Sequence, residues 1–385
     1  MLTRLVLAAV PCLCLCWTAV AASCQAGGQT PPAEDVWTTW HDTCPVVSPD
    51  GEQVLFLSTR ANPDTPDRSS SAGRHGLCVV PLTGDVEPRV LATGSVGTPS
   101  WSPDGTKAAY CRKAGPDSPW GLEVLEIESG QVRVMPAPER TVFAAPVWLP
   151  DGRIAALARS IHRAPLFGDG FPFDPVIIDP AADPVDLVRL AAPESSPEEA
   201  RNPVVGSAGR VLRSMLVDGG GRLLAVYEYY AARAMGVRGP KSEAPHEIWL
   251  YDRLETDAAP TRVVDLLRSP DVYPMGPQSV WVGPPLRGER RPEVINLADG
   301  SRQPAELPAQ GKPESTIGQL YMALGQVEGL RPALDGSRWV FSAYCQRATG
   351  GVPGSWLICT VDADGSGLRA LTVPTEPEQE DPAAP

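Results

Sequence analysis

Histidine is scarce in this chain of 385 residues, with four copies, and phenylalanine is hardly commoner with six. Imidazole chemistry is thereby confined to His41, His75, His162 and His246. No C-x-x-C pair occurs, which argues against a zinc-ribbon site. There is no G-x-S-x-G, so the nucleophile elbow of a serine hydrolase is excluded. Walker A, Rossmann glycine and H-E-x-x-H patterns are also missing, and no cofactor is expected. Positive charge is in deficit: 33 Lys and Arg face 46 Asp and Glu, a net charge of −13. That excludes a nucleic acid held by the bulk surface. Long stretches of helical period are missing, while proline reaches 43 copies. The balance favours an all-β fold.

What is present begins with a targeting segment. "MLTR" supplies a positive end, an apolar run follows, and small residues close it at "AASC". Residues 1–23 are read as an export signal of lipoprotein type. Two processing routes fit. One lipidates Cys24, since "AASC" resembles a bacterial lipobox; the other cleaves after Ala21 to leave a soluble form. Residues 24–40 form a tether, and the acidic, Pro-rich 374–385 a disordered tail. Downstream of Cys24 stand Cys44, Cys78, Cys111, Cys345 and Cys359. Cys345 and Cys359 flank one hairpin and admit a disulfide, but small buried thiols fit equally well.

Repeats decide the fold. "VVSPDGEQVLFLSTR" (46–60), "SWSPDGTKAAYCRK" (100–113) and "VWLPDGRIAALARS" (147–160) align, with looser copies at 216–230 and 333–347. Each copy precedes a short apolar run ending in an Asp/Gly turn, such as "GLEVLEIESG" (121–130) and "WLICTVDADGSG" (356–367). The unit is four antiparallel strands recurring at roughly 50-residue intervals, the sequence signature of a propeller. Six blades are expected, at 41–94, 95–140, 141–190, 191–267, 268–310 and 311–373. Blade 5 is the least regular copy.

"WSPDG" followed by an apolar strand and then "DADGSGLRALT" resembles the TolB-type propeller repeat, a relative of WD-type repeats. The resemblance spans 41–373. It implies an exported bacterial propeller of the periplasm or cell envelope, anchored at Cys24 if lipidated, that acts as a protein-interaction module. A metal-dependent lyase of oligogalacturonate type is known on a related propeller. The resemblance therefore also admits an enzyme acting on sugar acids.

Within "SPDG", Pro103 presets φ, Asp104 suits the third turn position and Gly105 the fourth. Repetition as Asp50 and Asp151 marks a turn corner rather than three active sites. Trp101 and Trp148 are expected to wedge between blades. In "DADGSG", Asp362, Asp364 and Ser366 imitate a calcium loop, but its twelfth position is Val373 where a bidentate Glu is needed.

In a propeller these turns share one face, and the second-to-third-strand loops occupy the other. All four histidines fall towards that loop face, as candidate metal ligands or as covers for strand ends. Arg60, Arg112, Arg159, Arg163, Arg233 and Arg347 gather there too, suited to carboxylates or serving as surface caps. In "HRAPLFGDGFPFDPV" (162–176), Leu166, Phe167, Phe171 and Phe173 stand on a loop. They either meet a partner or fold into the channel. The expected partner is a protein or an acidic glycan at the envelope, with the membrane reached only through a lipid anchor.

Overall fold

The computed structural model describes residues 40–62, 75–84, 86–113, 115, 118–138, 141–160, 173–182, 186–193, 210–229, 245–267, 272–283, 292–305, 327–333, 336–345 and 355–372. These residues form six antiparallel sheets in one ring. Blade 1 comprises β1 (Asp42–Val47), β2 (Gln53–Ser58), β3 (Gly76–Pro81) and β4 (Arg89–Ala92). Blade 2 begins with two short pieces, β5 (Ser95–Val96) and β6 (Ser100–Trp101), both paired with β7 (Lys107–Lys113). The break falls at Pro99, which has no N–H to donate. β8 (Trp120–Glu126) and β9 (Val132–Val134) complete the blade. Blade 3 contains β10 (Thr141–Trp148), β11 (Ile154–Ser160), β12 (Asp174–Ile178) and β13 (Leu187–Arg189). Blade 4 contains β14 (Arg210–Val217), β15 (Leu223–Tyr229), β16 (Pro245–Tyr251) and β17 (Thr261–Leu267). Blade 5 contains β18 (Val272–Pro274), β19 (Ser279–Val282), β20 (Glu293–Asn296) and β21 (Arg302–Pro304). Blade 6 contains β22 (Val327–Pro332), β23 (Arg338–Cys345), β24 (Ser355–Asp362) and β25 (Arg369–Ala370). Within every blade the strands pair in chain order.

Central strands such as "QVLFLS" read as unbroken apolar runs because both faces are buried. Alternation assigns each side to a different neighbour. Leu55 and Leu57 join Leu77, Trp101, Tyr110 and Leu125 in the seam between blades 1 and 2. Val54 and Phe56 face the other way, onto Val340, Ile358 and Leu371 of blade 6. Four further clusters fill the remaining seams. The fourth strands carry exposed apolar positions, Val90 at 43% and Val134 at 63%, at the outer edges of their blades.

The SPDG corners are built as their composition implies. Gly105 N–H donates to the Ser102 carbonyl at 2.9 Å, with Gly105 at φ 71°. Asp104 Oδ1 accepts from Ser102 Oγ at 2.5 Å and from Thr106 N–H at 3.0 Å. Asp50 repeats the pattern with Ser48 and Glu52. In blade 4, Asp218 takes the place of the serine and accepts from the N–H groups of Gly220 and Arg222. Trp101 is a wedge: 7% exposed, it donates from Nε1 to the Val46 carbonyl of blade 1 at 2.9 Å. The 362–367 segment is the turn from β24 to β25. Asp364 Oδ1 there accepts from Ser366 N–H at 2.8 Å.

Two expectations change. Cys359 is buried, its Sγ donating to the Leu357 carbonyl at 3.9 Å, and the β23–β24 register sets it opposite Phe341 while Cys345 faces Ser355. Four residues of offset, about 13 Å along a strand, put a disulfide out of reach. The segment 24–40 is expected to be a tether. Of it, Trp40 alone is described: its carbonyl accepts from Trp356 N–H at 3.0 Å, and His41 bridges Trp356 in parallel. Blade 6 thus meets blade 1 through the lead-in to β1.

Candidate functional site on the loop face

Residues at the starts of first and third strands and at the ends of second strands share one face. His41, His75, His246, Arg60, Arg112, Arg159 and Phe173 all map there. The SPDG corners lie opposite. Asp104 and Asp50 are held below the ordinary carboxylate value, first by the serine hydroxyl and then by a backbone N–H. In each, Oδ1 is committed to the turn.

Two groupings form on the loop face. The first is at the seam of blades 1 and 6. His41, only 4% exposed, places Nδ1 2.8 Å from His75 Nε2, and the rings meet edge to face. Trp356 covers His41 from blade 6, with ring centroids 5.6 Å apart, and Tyr344 packs behind it at 5.6 Å. The two ring nitrogens therefore face each other across a hydrogen bond. Arg60 turns inward. Its Nη2 meets Asp42 Oδ2 at 2.7 Å, its Nε meets Oδ1 at 3.3 Å, and the side chains are 7% and 0% exposed. Burial opposes the charge of Arg60, but the Asp42 carboxylate more than offsets this and holds it above its ordinary value. Arg60 also lies over the Trp40 ring at 5.5 Å. It is a packing cation, not the rim cation its sequence position implied. Arg112 is also engaged, by Glu123 at 3.5 Å and the Thr93 carbonyl at 3.0 Å.

The second grouping is a cleft of about 130 Å³ between blades 3 and 4. Ala144, Ala145, Leu157, Val211 and Leu212 form its apolar wall, and Arg159, Phe173 and Arg213 supply the rest. Arg159 lies over the Phe173 ring at 5.3 Å. A cation–π contact at a partly exposed site stabilises by roughly 0.5–1 kcal/mol and fixes the guanidinium plane. Arg213 binds the Glu228 carboxylate through Nε and Nη2. The first strands of blades 3 and 4 are bulged at this place: the register shifts between Ala144 and Val147 in β10, and between Leu212 and Ser214 in β14. Ala145 has φ 44°, a left-handed conformation rare outside glycine. Cys44 in β1 and Gly329 in β22 hold similar positions at φ 54° and 61°. The bulge thus recurs in blades 1, 3, 4 and 6. The small Ala144 and Ala145 leave it open as a cleft at this seam.

His246 starts the third strand of blade 4 next to Glu228. Its Nδ1 is buried without a hydrogen-bond partner among the described residues. Burial lowers its pKa, and Arg213 lowers it further against the pull of Glu228. Blade 4 stands three places around the ring from blade 1, so His246 does not join His41 and His75. Among the described residues no three His, Cys, Asp or Glu side chains converge as a metal-binding group. His162, Arg163, Arg233, Arg347, Leu166, Phe167, Phe171 and Cys24 lie outside the described residues. Sequence reasoning missed Arg213. It belongs to the repeat copy that lacks a PDG corner, where alignment offers no marker.

No protein-family model matches the chain, and no curated protein matches it. Solved structures of similar fold include TolB from Acinetobacter baumannii, 11% identical with a TM-score of 0.46. That comparison covers 86% of this chain, which spans only 62% of the TolB chain. An oligogalacturonate lyase in complex with manganese is 14% identical, over 86% of this chain and 94% of that one, with a TM-score of 0.44. The Cps50 (Swd1) β-propeller domain of Myceliophteria thermophila is 13% identical, over 89% and 90% of the two chains, with a TM-score of 0.43. The chain is a six-bladed, all-β propeller whose structural neighbours include TolB and WD-type propellers.

Proposed function

We propose that this protein is an exported, lipid-anchored propeller that binds a protein or acidic glycan partner at the cell envelope through its loop face. The observation that carries the reading is the cleft between blades 3 and 4. Among the described residues it is a recess on that face where guanidinium groups border an apolar wall. Strands β10, β11 and β14 present most of its lining, the usual arrangement of a binding site on a scaffold. The signal-like residues 1–23 and Cys24 support export and anchoring on sequence grounds. Fold alone does not assign a partner.

The test is a cross-linked pull-down from the native envelope with the full chain and an Arg159→Glu variant. Specific capture by the wild type and its loss in the variant, with an unchanged melting curve, is the expected result. Equal capture by both would overturn the assignment of the loop face. Metabolic labelling with a fatty acid probe checks the anchor: label lost in Cys24→Ser supports it, and an unlabelled wild type refutes it.

A further inference from the structure

The seam of blades 1 and 6 carries a pair of titratable groups that the proposed function does not use. We infer that His41 and His75 form an acid-released clasp: the loop-face end of this seam is closed while the two rings share at most one proton, and opens when both are protonated. The inference is independent of what the loop face binds.

The hydrogen bond comes first. His41 Nδ1 and His75 Nε2 stand 2.8 Å apart. A neutral imidazole has one donor and one acceptor nitrogen, and an imidazolium has two donors. Two neutral rings can make this bond, and so can one neutral and one charged ring. Two imidazolium rings cannot, because N–H would face N–H and like charges would meet. Imidazole ordinarily titrates near pH 6.5, so the second proton enters the pair below that value.

Confinement comes second. His41 is 4% exposed and lies under Trp356. Its N–H donates to Thr59 Oγ1 at 3.0 Å, and its carbonyl accepts from Thr59 N–H at 3.3 Å. The His75 carbonyl accepts from Val96 N–H at 2.8 Å. With both main chains held, repulsion falls on the rings and on what covers them. The described charges around the pair already face each other: Asp42 is bound by Arg60 and Ser58, and Glu87 acts on Arg60. Cys78, whose thiol is raised by burial, and Tyr344, behind Trp356, are the other titratable side chains packed there.

Position comes third. His41 bridges Trp356 of blade 6 in parallel. Beside it, the Trp40 carbonyl accepts from Trp356 N–H at 3.0 Å, and Trp40 N–H donates to Ser355 Oγ at 3.3 Å. Deeper in the seam, Val54 and Phe56 pack on Val340 and Ile358, and Arg369 donates to the Leu82 carbonyl. Apolar contacts carry no proton to gain. Acid should therefore loosen the loop-face end and leave the rest of the seam closed. Protonation of histidine at an interface is a known form of pH switch.

The experiment is hydrogen exchange of the full chain at pH 7.5 and 4.5, corrected for the intrinsic pH dependence and read by mass spectrometry. The Trp356 amide reports the clasp, and strand Ile154–Ser160 of blade 3 is the reference. Protection at Trp356 should fall at least tenfold relative to the reference on acidification. His75→Gln keeps a polar partner without the charge and should reduce that loss to twofold or less. The two-pH comparison is made on the wild type, so it stands even if the variant fails to fold. Unchanged protection at Trp356 overturns the inference, since His75 would then swing away without opening the seam. So does an equal loss in His75→Gln, which would assign the effect to other groups, or a loss shared by the reference strand, which would make it global acid destabilisation.

Discussion

Asp42→Ala should be among the most damaging single substitutions in the ring, and the reason is the cation it abandons. Asp42 and Arg60 are 0% and 7% exposed at the side chain and share two contacts, at 2.7 and 3.3 Å. Ser58 Oγ adds a third at 2.5 Å. Removing one partner of a buried pair leaves an uncompensated charge and typically costs about 3–5 kcal/mol. At roughly 2 °C per kcal/mol for a large domain, the melting temperature should fall by about 6–10 °C. The pair itself need not be strongly stabilising, because both ions lost their water on folding. The double variant Asp42→Val with Arg60→Met should therefore recover about 2 kcal/mol or more relative to Asp42→Ala. Urea unfolding followed by tryptophan fluorescence reads both, since Trp40 lies under the Arg60 guanidinium. A cost below about 1 kcal/mol for Asp42→Ala, or a double variant no better than the single, would refute the reasoning. Arg60→Met should also leave partner capture intact in folded protein, because the cation is not presented to solvent.

Other outcomes follow from single observations. A Cβ on Gly76 would meet the Ala92 carbonyl oxygen at 2.3 Å and Ala61 Cβ at 2.5 Å, and backbone cannot step aside. Gly76→Ala should cost about 3 kcal/mol or more by overpacking, and an unchanged thermal melt would sink that account. His246 has a pKa below its ordinary 6.5 because of burial, so the unfolded chain takes up a proton that the folded one refuses. Its contribution is complete above pH 6.5 and is lost as pH falls through that value; His246→Gln should flatten this limb of the stability profile. Asp104 is held below 3.8, so its contribution is present above that value and lost as the acid range is entered. Asp104→Asn should soften the acid limb and leave partner capture unchanged. A loss of capture at constant stability would return Asp104 to the functional residues.

The turn corners were legible in the sequence because their determinants are local. Ser102, Pro103, Asp104 and Gly105 satisfy one another within five residues, and three copies announced a repeat before any contact was known. The wedge role of Trp101 followed from its place in that repeat. Arg60 and Phe173 were placed on the correct face by the same logic, but their directions were not readable. Arg60 bends in to Asp42, eighteen residues earlier in the chain. Phe173 is half-buried against the blade 3–4 seam, under Arg159.

The sequence by itself determined the blade, the four-strand unit, the turn face and, by elimination, the loop face. These rest on short-range turn chemistry and on two-sided apolar strands. Only the tertiary structure decided that His41 meets His75, that Cys345 and Cys359 lie out of register for a disulfide, and that Arg159 and Arg213 converge on one cleft. Those neighbours are brought together by ring closure and by seams between blades. A seam joins residues many positions apart, and its side-chain directions depend on bulges such as those at Ala145 and Arg213. Periodicity places a residue on a strand and a face; packing across the seam selects its partner.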